Sequence, residues 1–324
     1  QVSLDFNQVI FEGLKFYYGR KYERLLNEAE IYKVELSINE MKSNVISLYL
    51  NLLIIDKQLN ILANVENTLD TQTTQLQTLL RAGVVYGNSV SQLELEALKI
   101  KQNKGELQAT KESLISSLSI LTGKNLQNSI FIIPDVPLIE DNTNSSRLEY
   151  AIFDNKIASL DYQRKLHFSN SLPKISVFAT GGYGRPTYDL FVNQFDWFYM
   201  AGIKFTVPVI DWAKTAGVGN IINLQKSIVA SQESDFEKAN KIAIQEKLNE
   251  IKRIENLLVL DKQITKKYQE ITKTFSIQLI NGTITAYDFI KQHNDEIQSL
   301  INQEVHTIQL LKAKYELMAL KGRL

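Results

Sequence analysis

Residues 197–213 read WFYMAGIKFTVPVIDWA, two periodicities joined at Pro208. Trp197, Tyr199, Ala201, Ile203, Phe205 and Val207 alternate with Phe198, Met200, Gly202, Lys204 and Thr206. A strand with this order has one wholly apolar face and one face of small and polar groups with Lys204. Beyond Pro208, which marks the bend, a helix is predicted from about Asp211 to Leu279. The alternation alone favours a soluble antiparallel sheet packed on a helix. A globular sheet has no use for an attached helix of about 70 residues, so the junction decides the fold.

Two further segments share this alternation. In residues 1–7, Val2, Leu4 and Phe6 oppose Ser3, Asp5 and Asn7. In Lys174–Gly184 (KISVFATGGYG), Ile175, Val177, Ala179 and Tyr183 share a face, and Phe178 breaks the pattern. Strands of about 9–11 residues, apolar on one side and aromatic at one end, carry the dyad signature of an outer-membrane barrel.

The chain also repeats itself about 200 residues apart. Val9-Ile10 returns as Val209-Ile210, Gly83 of LLRAGVV as Gly282 of LINGTIT, and Gly123 of SILTGKN as Gly322 of MALKGRL. So long a period excludes short solenoid repeats and implies one large unit built twice. No proline occurs from Gly13 to Leu80, and Tyr22, Leu25, Leu26, Ala29, Tyr32 and Leu36 recur at helical spacing. Val45–Leu62 is apolar on more than one face, so such a helix must be covered on several sides. A rod of that length would run roughly 100 Å.

A turn with two glycines, Arg81 to Ser89, follows, with an Asn88-Ser89 helix start and Gly123 as the next stop. On the returning helix Tyr86, Leu93, Ile100, Leu107, Leu114 and Leu121 recur every seven residues. The companion line, Ala97, Lys104, Lys111 and Leu118, is mixed. That mixture predicts helices side by side in a wall, not an isolated zipper. The second copy turns at Ile280-Asn281-Gly282-Thr283 and returns through Phe289, Ile290, Ile297, Ile301, Ile308, Tyr315 and Met318. Between the copies, Lys124–Ser146 holds Pro134, Pro137 and the run EDNTNSS, a loop or small lateral module.

Composition excludes several classes. Lys+Arg 36 against Asp+Glu 36 gives no net charge, and no block of like charge stands in for it, so no nucleic-acid partner is expected. There is no cysteine for a disulfide, thiolate chemistry or a Cys-based zinc site. No apolar run long enough for a transmembrane helix is evident, and QVSLDFNQ is no signal peptide. Gly181-Gly182-Tyr183-Gly184 is followed by Arg185-Pro186 where a dinucleotide site needs a helix. Ala216-Gly217-Val218-Gly219 lacks the Gly-Lys-Ser/Thr of a phosphate loop. His167, His293 and His306 are too dispersed for a metal pair, so no enzyme, cofactor or metal is expected.

Taken in order, these landmarks resemble the TolC family of bacterial outer-membrane efflux proteins. Arg147-Leu148-Glu149 is similar to the family's repeat start without its proline, and Leu172-Pro173-Lys174-Ile175-Ser176 to its helix-to-strand entry. Gly202-Ile203-Lys204-Phe205-Thr206-Val207-Pro208-Val209 is similar to its strand-to-helix exit, and Asn281-Gly282-Thr283-Ile284-Thr285 to its helix turn. The resemblance implies an α+β membrane protein: a long antiparallel helical coiled-coil barrel continuous with a transmembrane β-barrel, in a homotrimer with four strands per protomer. Residues 1–12 and 172–209 would be barrel strands, 13–123 the first helical hairpin, 124–146 an equatorial loop, 147–171 the helix opening the second repeat and 210–324 the second hairpin. The 200-residue offset places roughly fifty residues, one helix and the first strand, before Gln1. Any lipid-anchoring cysteine would lie there too.

By the same resemblance the function is a passive exit duct of a tripartite export system or type I secretion system. It would sit in the bacterial outer membrane with its helices in the periplasm. Its partners would be outer-membrane lipid, a periplasmic adapter (membrane fusion protein) and an inner-membrane pump. The cargo, whether drugs, metals or secreted polypeptides, is left open, and a periplasmic coiled-coil scaffold or adapter without a pore is the alternative. Arg81, Gly83, Asn88, Ser89, Asn281 and Gly282 would be adapter-contacting tips, although the glycines equally serve as tight turns. Asp288, with Ser89, Lys291 and Ile284, would form the periplasmic gate, a ring of carboxylates that favours cations. Lys291 replaces a second Asp of many relatives, and Ile284 stands where some carry a locking Arg. Asp288 also suits a helix start on charge alone. Trp197, Phe198, Tyr199 and Tyr183 would form a membrane girdle, or else a soluble aromatic cluster. Pro173 and Pro208 would mark the barrel–tunnel bends, and Asp5 and Lys204 would face the lumen. Val9 stands where relatives often have a proline, so the first copy must bend by other means.

Overall fold

The computed structural model describes residues 2–135, 147–185, 194–208 and 211–323, and of residues 211–216 the backbone alone. Val209-Ile210, Pro137, Pro186 and the EDNTNSS run lie outside the described residues. The elements are β1 Val2–Glu12, α1 Lys15–Arg81, α2 Gly87–Thr122, α3 Leu148–Ser169, β2 Lys174–Gly184, β3 Asp196–Thr206, α4 Asp211–Ile280 and α5 Ala286–Leu320. They pack as two units: Gln1–Leu36 with Arg147–Ala239, and Ser37–Ser146 with Asn240–Leu324.

The first unit holds an antiparallel sheet in the order β1-β2-β3. Its register aligns the apolar positions: Val2 with Tyr183 and Trp197, Phe6 with Ala179 and Ala201, Phe11 with Ile175 and Phe205. The ladder shifts between Val9 and Phe11, where Ile10 is the extra residue of a bulge. A one-residue slip exchanges the faces of a strand, so the bulge brings Phe11 back to the apolar side. It also puts Glu12 on the polar side, 2.7 Å from Lys174.

The interruption at Phe178 has a physical reason. Phe178 lies on the polar face directly opposite Gly202, where an added Cβ would stand 3.0 Å from the Phe178 ring. Phe198 lies likewise opposite Gly182, whose Cβ would come within 2.7 Å of its ring and 2.4 Å of the Val2 carbonyl oxygen. Each ring fills the space left by a missing side chain.

The first strand-to-helix junction is made by Gly13 (φ 57) and Leu14 (φ 63), both left-handed. This is the bend that the first copy makes without a proline. A Cβ on Gly13 would fall 2.5 Å from the Ser169 carbonyl oxygen at the end of α3 and 2.8 Å from Leu172 Cβ. Elsewhere in this unit the Arg147 guanidinium lies 4.9 Å over the Phe236 ring, which Tyr150 and Phe153 flank. Lys226 of α4 pairs with Asp161 of α3.

In the second unit α1 is covered on two sides. Leu52, fully buried, packs with Ile115 and Leu118 of α2, while Leu50 and Leu53 pack with Ile308 and Leu311 of α5. By length and composition α1 does contain a stretch apolar enough to cross a membrane, which corrects the expectation of none. Its central leucines are nonetheless taken up by neighbouring helices.

On α2, Leu93 and Ile100 of the seven-residue line are buried, whereas its ends, Tyr86 and Leu121, are exposed. The lysines of the mixed line reach α1: Lys104 pairs with Glu66, and Lys111 with Asp56 at 2.5 Å. They tie α2 to α1 instead of interrupting a seam. The last cluster gathers Leu69, Leu76, Val90, Leu93, Leu279, Ala286 and Phe289 next to the two turns.

Candidate functional site: the exposed sheet face and the helix turns

The sheet presents its apolar face to the surroundings. Leu4 is 81 % exposed, Trp197 75 %, Tyr199 88 % and Ile203 74 %, with Val2, Phe6, Tyr183 and Phe205 also open. Among the described residues no helix of the unit covers these apolar side chains. Tyr183, Phe195 and Trp197 form a ring cluster at one end, with centroids 6.1 Å and 5.2 Å from Tyr183. Phe198 departs from the expected girdle. It is buried on the opposite face, against Gly182.

That opposite face carries Asp5 and Lys204. Asp5 accepts a 2.7 Å hydrogen bond from the Thr180 hydroxyl across the β1–β2 ladder. Lys204 stands opposite Ser176. Pro173 occupies the link from α3 to β2, and Pro208 follows the last residues of β3.

The two turns between helices are built alike. Gly83 (φ 75) donates its N–H to the Leu80 carbonyl and Val84 donates to Leu79, each at 2.9 Å. Gly282 (φ 67) donates to Leu279 and Thr283 to Gln278, each at 3.0 Å. This paired pattern satisfies the last carbonyls of a helix and requires a left-handed residue, hence glycine. Gly322 (φ 72) repeats it, with Gly322 donating to Ala319 and Arg323 to Met318. Val85 and Ile284 follow the two turns at matching places, and both pack on the cluster beneath. Ile284 is therefore an apolar anchor of the turn.

The helix starts after the turns differ. α5 begins with a reciprocal cap: Thr285 Oγ1 accepts from the Asp288 N–H at 3.2 Å, and Asp288 Oδ2 accepts from the Thr285 N–H at 3.2 Å. The Thr285 hydroxyl also donates to Asp288 Oδ2 at 2.6 Å. These bonds to Thr285, with Lys291 nearby, hold the Asp288 carboxyl below the usual aspartate range. The Thr-x-x-Asp spacing is a sequence signature of this cap that a reading of Asp288 by charge alone passes over. α2 begins at Gly87 with Tyr86 as its cap residue and no side-chain cap bond. Asn88 and Ser89 lie inside the first turn, which corrects their assignment as the helix start. Arg81, Asn88, Asn281 and Lys291 are exposed around these turns.

No protein-family model matches the sequence, and no curated protein matches it. Solved structures do. The Campylobacter jejuni CmeC outer membrane channel superposes with a TM-score of 0.77 at 16% identity, over 99% of this chain and 70% of that one. VceC, an outer membrane protein from Vibrio cholerae, gives 0.76 at 13% identity, over 99% of this chain and 79% of that one. The open-state Neisseria gonorrhoeae MtrE outer membrane channel gives 0.74 at 10% identity, over 100% and 80%. The chain has the TolC-like fold, in which long antiparallel helical hairpins join a small antiparallel sheet and the plan is repeated twice.

Proposed function

We propose that this chain is the protomer of a homotrimeric outer-membrane exit duct in a tripartite export system, passing its cargo passively. The observation that carries this reading is the outward apolar face of the sheet, attached to helices of 67 and 70 residues. In water that face would be an aggregation surface; in lipid it is the required one. Both β1 and β3 end the sheet with an unpaired edge among the described residues, and such edges take another strand. The scaffold reading requires the apolar face to be buried against the chain's own helices; among the described residues it lies open.

In this proposal Trp197, Tyr199 and Tyr183 sit at the membrane interface, and Asp5 and Lys204 face the lumen. The turns at Gly83 and Gly282 are the periplasmic tips, offering Arg81, Asn88, Ser89, Asn281 and Gly282 to an adapter coupled to an inner-membrane pump. Asp288 acts there twice, as the cap of α5 and as one of three carboxylates at the aperture, with Ser89, Ile284 and Lys291 around it. Cargo selection, whether of drugs, metals or polypeptides, belongs to the pump. Planar-bilayer recording of the full-length protein tests the reading: discrete single-channel steps are expected, and a scaffold would give none.

A further inference from the structure

Within the second unit a cleft of about 650 Å³ is lined by residues of α1, α2 and α5, a volume that suits a drug-sized molecule. On α2 its lining runs from Glu96 to Thr110, roughly 20 Å along the helix. One side is aliphatic. Leu62, Ile100 and Ile297 belong to the buried cluster next to the turns, and Leu107 and Ile301 pack against it. The other side is polar, with Asn103 and Gln298 exposed. Glu96 is the anomaly. It lies on the core-facing side of α2, between Leu93 and Ile100, and is only 8 % exposed. A carboxylate at such a place is costly unless it is well paired. Its Oε1 accepts a hydrogen bond from the Asn294 side-chain amide at 3.0 Å. Its Oε2 meets the Lys99 ammonium at 3.2 Å, but the Lys99 side chain is 59 % exposed. So exposed a lysine contributes little to an ion pair and is free to swing into water. Packing alone would place an aliphatic residue at position 96. Glu106 adds a second carboxylate to the described lining, which holds no basic side chain.

We propose that this cleft binds an amphiphilic organic cation, with its ammonium or guanidinium head on Glu96 and its apolar body along the aliphatic side. The head takes the place of Lys99 at Oε2, while Asn294 keeps its bond to Oε1. Charge complementarity selects the class: two carboxylates without a lining cation repel an anion. A neutral molecule of the same shape fills the cleft without pairing the nearly buried carboxylate, so it binds more weakly. A bare metal ion is a poor occupant, because aliphatic side chains offer it no ligand. The glutamate sits at one end of the lining on α2, which orients a ligand that has one charged end and one apolar end. The site lies apart from the sheet, and its ligand chemistry does not depend on the duct reading.

The test is equilibrium binding to the full chain in lipid nanodiscs, with empty nanodiscs subtracted. The probe is 4-phenylbutyltrimethylammonium; 4-phenylbutanol and 5-phenylvalerate are its neutral and anionic counterparts. Saturable binding of one cation per chain is expected, at least tenfold tighter than either counterpart. Glu96→Gln keeps an acceptor for Asn294 and removes the charge, so it should weaken cation binding at least tenfold with helicity unchanged. Asn103→Trp, at an exposed position on α2, fills the cleft and should abolish binding of all three probes. Glu94→Gln removes a nearby exposed carboxylate outside the lining and should leave binding unchanged. Equal affinity for the cation and the alcohol overturns the proposal. So does unaltered binding in Glu96→Gln, or an equal loss in Glu94→Gln, which would reduce the effect to diffuse surface charge. Single-channel steps from a chain that binds no cation overturn the site and leave the duct standing.

Discussion

Gly13 and Gly83 share a left-handed backbone but not a surrounding. At Gly83 an added Cβ would meet open space, whereas at Gly13 it would collide with the Ser169 carbonyl oxygen and Leu172. Gly83→Ala is therefore expected to cost about 1–2 kcal/mol, the penalty of an L side chain in this conformation. Gly13→Ala adds a backbone clash that no rotamer relieves, and a loss of at least ~3 kcal/mol or failure to fold is expected. Chemical denaturation of the two variants side by side checks the order; equal losses would refute the junction geometry. The cap of α5 gives a second prediction. Thr285→Ala is expected to cost about 1 kcal/mol, since it leaves the Asp288 N–H without its acceptor. The Asp288 carboxyl is held below its ordinary range by Thr285. Its stabilising contribution is therefore fully present above the pKa of an unfolded aspartate and lost as pH falls through its own lower value. An acid titration of stability should lose that component in Asp288→Asn.

Helix packing is legible in this sequence where period and burial coincide, and obscure where a partner from another element decides. The two-faced run Val45–Leu62 announced cover on several sides, and Leu52 duly faces α2 while Leu50 and Leu53 face α5. Leu52→Ala is expected to cost 2–5 kcal/mol through the cavity it leaves. Leu98→Ala, at an exposed place on α2, should stay within about 0.5 kcal/mol in an isolated protomer; thermal melts compare the two. The lysines of the mixed line could not be told from seam defects by spacing, because their carboxylate partners lie 38 and 55 residues away in α1. Phe178 was opaque for a similar reason: the glycine that accommodates it, Gly202, is known only once the strand register is known. The same holds for Phe198, which alternation placed on the face opposite Trp197 and Tyr199 yet which an aromatic cluster in sequence drew into the girdle. Glycine stops at Gly83, Gly123, Gly282 and Gly322 needed no partner, being local, and all four are left-handed.

At the scale of the whole molecule, the decisive question is what solvent the sheet's outer face meets. Phe6 stands in register with Ala179 and Ala201, the central residues of β2 and β3, so it marks the middle of the sheet. Asn7 beside it points to the other face, opposite Phe178. If the outer face meets lipid, Phe6→Lys places an ammonium near the bilayer midplane, at a cost of roughly 2–4 kcal/mol. Asn7→Lys places the same charge in a watery lumen at little cost. In water the ranking vanishes or reverses, because Phe6 is already exposed and exchanging it for lysine removes a sticky apolar group. The measurement is the fraction of each variant recovered folded in outer membranes, with urea-induced unfolding from lipid vesicles as the quantitative arm. A large deficit for Phe6→Lys against near-normal Asn7→Lys is expected. Equal behaviour of the two would return the sheet to water and remove the ground for a pore.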